Sequence, residues 1–167
     1  MPKGHFNILY PGLQLDQIET EKPVDSRVTG LVRGSVLVDN GSGAWRLSIA
    51  ADAGTAGHPG PMVYWSLQDQ DSPDAVKAGK VAGIPCGWPM VVETDQYAGS
   101  HAVGSFVAAD NLGKVTDAVT GNSAIGLVLK APAQRWLNDR LDPLGTRMGA
   151  LANVVVFQTL YIPSLAF

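Results

Sequence analysis

The chain has 167 residues, which suits one domain or one domain with an arm. Charged residues make up 16%, well below the usual quarter, and the net charge of -3 argues against binding nucleic acid through its phosphates. Apolar residues make up 46%, enough to bury a core, yet no apolar run is long enough to span a membrane. The start, Met1-Pro2-Lys3, leads into no apolar stretch of secretory type. The single cysteine, Cys86, excludes an internal disulfide and any paired-cysteine metal or redox motif.

Residues 1–25 carry Pro2, Pro11 and Pro23 and apolar residues with no sustained alternation. They are expected to form an extended N-terminal arm lying against the chain's own domain or a partner. Residues 26–167 then form a single β domain, with loop excursions at 68–83 and 131–151. Arg27 to Val38 alternates with a period of two, interrupted by glycines. Asp39-Asn40-Gly41-Ser42-Gly43 leads into the alternating Trp45-Arg46-Leu47-Ser48-Ile49. Asn-Gly supplies the positive φ of a tight turn, which predicts a hairpin.

Met62 to Leu67 is the next expected strand, followed by a polar loop in which residues 75–80 have room for one helical turn. Trp88 to Thr94 reads as a strand starting at an edge, because of Pro89. Ser105 to Ala109 and Lys114 to Ala118 flank a second turn, and Ala124 to Leu129 gives another strand. Residues 133–141 are expected to form two helical turns, and Ala152 to Ile162 a closing strand. Short strands with Gly and Asn turns and little helix predict an all-β class, a small β-barrel or sandwich.

The search for chemistry finds weak signals. His5, His58 and His101 have no second ligand at chelating spacing and read as solvated residues of the arm and loops. Gly121-Asn122-Ser123-Ala124-Ile125-Gly126 has one residue too many for a nucleophile elbow and precedes a strand. Cys86 lies among apolar and turn residues and reads as a buried, inert thiol. Asp69, Asp71 and Asp74 lack the glycine and glutamate of a calcium loop and read as a solvated acidic loop. Asn40-Gly41-Ser42 matches a glycosylation sequon but is read as a turn. No catalytic, cofactor-binding or metal residue is nominated, and the chain is read as no enzyme.

Low charge with many small residues suggests surface buried by partners, since interface cores are poor in Lys, Glu and Asp. Candidate partner contacts are Tyr10, Leu13, Leu15 and Ile18 in the arm, and Trp136, Leu137 and Arg140 in the second excursion.

Gly104-Ser105-Phe106-Val107-Ala108-Ala109-Asp110, then Gly113-Lys114-Val115-Thr116-Asp117-Ala118, then Ala124-Ile125-Gly126-Leu127-Val128 resembles a pattern in capsid decoration (cement) proteins of tailed bacteriophages. The valine-rich Val154-Val155-Val156-Phe157 extends the likeness, which covers about residues 80–162. The resemblance implies a small β-barrel or β-tulip domain on the outside of an icosahedral shell, stabilising it after expansion. It implies the major capsid protein and further copies of the chain as partners, a trimer favoured over a dimer. It also implies an arm that clasps the shell by strand addition, and no cofactor, nucleic acid or membrane. The location would be the capsid exterior of a virion made in the host bacterial cytoplasm. The alternatives are another β-rich virion part (tail, fibre or head-tail connector) and a small cupin-like barrel enzyme, whose histidines would have to converge.

Overall fold

The computed structural model describes residues 4–10, 19–137, 150–163 and 165. One sheet has the spatial order β1 (Phe6–Tyr10), β9 (Val91–Thr94), β13 (Ala150–Ile162), β12 (Ala124–Leu137), β10 (Phe106–Ala109) and β11 (Val115–Asp117). A second has the order β2 (Thr20–Lys22), β8 (Val81–Pro85), β7 (Tyr64–Ser66), β3 (Val36–Asp39) and β4 (Trp45–Leu47). Two short strands, β5 (Gly54–Thr55) and β6 (His58–Pro59), pair separately, and α1 (Pro73–Ala78) is a single short helix. The class is all-β. Among the described residues both sheets are open, each with two edges, so neither closes into a barrel.

Alternation explains how the sheets stack. Val36 and Val38 of β3 join Trp65 and Ile84 in the core shared with Phe6, Val107, Ile125 and Phe157 of the larger sheet. Leu37, between the two valines, points the other way and packs with Leu31, Trp45, Ala75 and Val81. The second sheet is therefore covered on both faces, with α1 on the outer one. Trp65 lies between Phe6 and Phe157, with ring centroids 5.9 and 5.1 Å away. Each such buried side chain contributes on the order of 2 kcal/mol of transfer free energy.

The hairpins expected from turn chemistry are present. Asp39 pairs with Trp45, and the Asn40 side-chain oxygen accepts from the Ser42 and Ala44 amides. Ala109 pairs with Val115 across the second turn. Ser72 caps α1 by accepting from the Ala75 amide, and Gly79 ends it in a left-handed conformation.

Several expectations are corrected. The described part of 1–25 is not a separate arm. Phe6 pairs with Thr94 and is 1% exposed in the core, and Thr20 to Lys22 pair with β8. The partner strands lie some sixty to ninety residues away, so nothing local reveals the pairing. The 68–83 excursion ends in β8, a strand without alternation because four of its five residues are buried. Residues 133–137 are not helical: they form a ladder with 150–154, from Ala133 opposite Val154 to Leu137 opposite Ala150. Helix propensity is a weak prior that strand pairing overrides. Residues 138–141, the rest of the expected helix, lie outside the described residues.

Candidate functional site

The hairpin of β12 and β13 runs beyond the sheet that roots it. On one side, β9 pairs with β13 only as far as Val155, opposite Thr94. On the other, the strand pairing of β10 with β12 covers Gly126 and Leu127, and backbone bonds at Val128 from Gly104 and to Ser105 end the contact. From Ala131 to Leu137, about 23 Å at ~3.3 Å per residue, β12 has β13 as its single described strand neighbour. Among the described residues no strand pairs with either outer backbone edge of this ribbon.

The expected contact residues fall into three groups. Trp136 and Leu137 stand at the far end of the ribbon, opposite Leu151 and Ala150. Tyr10 ends β1, opposite Val91, after a register shift. Val91 pairs in turn with Gln158, about 23 Å along β13 from Leu151 at ~3.3 Å per residue, so Tyr10 and Trp136 belong to different regions. Leu13, Leu15, Ile18 and Arg140 lie outside the described residues.

Two of the three histidines are buried, not solvated. His5 is 8% exposed, and its Nε2 stands 3.0 Å from Glu93 Oε1. His101 has no exposed surface, and its Nδ1 stands 2.6 Å from Asp117 Oδ1. The Nε2 of the same ring is buried with no hydrogen-bond partner among the described residues. Its backbone φ of 41° is left-handed, costly for a side-chain-bearing residue. Tyr97 meets the ring edge-on at 5.5 Å; burial, helped by Asp95, pushes the tyrosine hydroxyl's pKa up. His58 is exposed on β6. Each buried histidine thus has its own carboxylate, brought to it by chain pairing that no short motif records.

The acidic loop is partly built in. Asp69 Oδ1 accepts from the Gly4 and Arg33 amides at 3.1 and 2.9 Å, tying the chain start to the loop before β3. Cys86 is fully buried, and desolvation pushes its thiol to about 11. Arg46 donates to Asp52 from both terminal guanidinium nitrogens, at 2.6 and 2.7 Å, and the Ile49 amide donates to the same carboxylate. Among the described residues, no group of three His, Cys, Asp or Glu could hold a metal ion. No described helix is long and apolar enough to cross a membrane.

Sequence reasoning missed a groove of about 300 Å³ beside the second hairpin turn, lined among others by Val32, Leu47, Asp95, Gln96, Leu112 and Lys114. Leu112 is 73% exposed and left-handed, with φ 58° and ψ 30°. That conformation costs an L-residue about 1–2 kcal/mol. The sequence signal was Asn111-Leu112-Gly113, a turn with leucine where asparagine or glycine would sit easily. Other large apolar side chains are also exposed, among them Val103 and Val119 on loops flanking β10 and β11.

No protein-family model, curated protein or solved structure matches this chain.

Proposed function

We propose that this chain is a structural virion protein that binds the outside of an icosahedral phage capsid and cements the expanded shell. The observation that carries the reading is the ribbon of β12 and β13, whose two outer backbone edges have no strand partner among the described residues beyond the well-packed core. A strand of a shell subunit can add to either edge by main-chain hydrogen bonding. The sequence pattern over 104–128 supports the same reading, since it spans β10, β11 and the root of the ribbon. The arrangement we envisage is tulip-like: two open sheets on a shared core, with the ribbon in place of the expected N-terminal arm as the clasp. The chain acts as a homo-oligomer, a trimer in preference to a dimer, so weak single contacts multiply around a symmetry axis. Its roles are contact and stiffening, not catalysis, and its place is the capsid exterior.

The test is the copy number of this chain in particles from its source, measured against the major shell protein. A fixed ratio with hundreds of copies supports decoration. A handful of copies moves the chain to a tail, fibre or connector. Absence from particles overturns the virion reading altogether.

A further inference from the structure

The groove beside the second hairpin turn combines three chemical features. Leu112, on its rim, is unfavourable twice over: a large apolar side chain meets water, and its backbone is left-handed. Asparagine would hold the same turn without either penalty. Val32 and Leu47 continue the apolar wall. Lys114 supplies a cation, and none of the described ion pairs uses its ammonium. Asp95 Oδ1 accepts from the His5 backbone amide at 2.9 Å and from the Gln96 side-chain amide at 2.7 Å. Its Oδ2 accepts from no described donor and can take a backbone N–H.

We propose that this groove receives an extended segment of a partner protein, with one large apolar side chain seated against Val32, Leu47 and Leu112 and a carboxylate on Lys114. Its volume lies at the small end of ligand pockets, suited to one side chain and not to a cofactor. Charge complementarity sets the partner's chemistry: an acidic residue beside the apolar anchor pairs with Lys114, while Asp95, its Oδ1 already held by two N–H donors, is left to the segment's backbone. Asp95 Oδ2 fixes the direction of the entering backbone. The inference extends the decoration reading by giving the chemistry of a contact, and it rests on that reading only for which protein carries the segment.

The experiment titrates the 15N-labelled full chain with acetyl-Glu-Leu-Glu-amide and, separately, with acetyl-Lys-Leu-Lys-amide, following backbone amide shifts. The acidic peptide should move the amides of 29–32, 95–96 and 112–114 saturably, and the basic one should not. Lys114→Glu should weaken the acidic peptide by about fivefold and admit the basic one. Leu112→Asn, which suits the turn, should fold at least as well and bind about fivefold more weakly. No shifts, equal shifts from both peptides, or undiminished binding by Leu112→Asn would overturn the proposal. Because no shell enters the experiment, its outcome is separate from that of the copy-number measurement.

Discussion

His101 and Asp117 are joined by a 2.6 Å hydrogen bond between a ring with no exposed surface and a carboxylate whose side chain is 47% exposed. The bond ties the loop that leads into β10 to the end of β11. With Asp117 accepting at Nδ1, the ring already leaves Nε2 without a partner among the described residues. Removing the carboxylate therefore leaves both ring nitrogens unsatisfied in a buried site. Asp117→Ala should cost about 1–3 kcal/mol, and Asp117→Asn, which keeps an acceptor, distinctly less. Urea denaturation of both variants checks this; equal midpoints would mean that the loop is held by other contacts.

Phe6 tests whether the start of the chain is core. It is 1% exposed and stacked on Trp65 at an interplanar angle of 17°. Phe6→Ala should lose about 3–5 kcal/mol of unfolding free energy. An unchanged melting curve would restore the separate arm.

The ribbon should be dispensable for folding. Replacing residues 134–153 with Asn-Gly joins Ala133 to Val154, which face each other across the ladder, by a two-residue turn. The shortened chain should melt within a few degrees of the full one, because the sheet pairing of β9 and β10 lies at Val155 to Gln158 and at Gly126 to Leu127. Its attachment to expanded shells, followed by co-sedimentation, should be lost. Full attachment by the shortened chain would remove the ribbon from the clasp.

Acid should weaken the fold through two carboxylates. Hydrogen bonds from Arg27 and Asn40 hold Asp25 well below the usual carboxylate range, and Lys22 with the Gly41 amide lowers Asp39. A depressed folded-state pKa means that the ionised form stabilises the fold above the unfolded value. That contribution disappears as pH falls below about 4. Denaturation midpoints should therefore drop in that window, and Asp25→Asn should flatten the drop while lowering the plateau at neutral pH. A variant with the wild-type acid profile would show that Asp25 does not contribute.

The parts of this fold legible in the sequence are those decided by near neighbours. Asn40-Gly41 marks one hairpin, and the turn residues between 105–109 and 114–118 mark the other. Residues 81–85 escaped because a strand buried on both faces shows no alternation, and Gly83 hides it further. Its glycine has a packing reason, since a Cβ there would stand 3.1 Å from the Trp45 ring. Residues 133–137 misled because Ala, Gln, Arg and Leu suit a helix in isolation, whereas the ladder to 150–154 decides their state. The histidines misled for the same reason at greater range: His5 meets Glu93 and His101 meets Asp117 only after the strands pair. The Leu112 groove joins residues from four separate stretches of chain, a combination that no window along the sequence contains.

The order of strands in the larger sheet also gives β13 a joining role. β13, the most C-terminal of the described strands, sits between β9 and β12 and so unites β1 and β9 with β12, β10 and β11 in one ladder. Without β13 the ladder is split into β1–β9 and β12–β10–β11, which the backbone bonds of Gln96 and Ala98 with Val115 and the shared core still link. Closure over such separations is entropically slow, and partial chains expose unpaired edges in the meantime. A chain without β13 therefore leaves β9 and β12 each with an unpaired edge, the kind of surface on which partial chains aggregate.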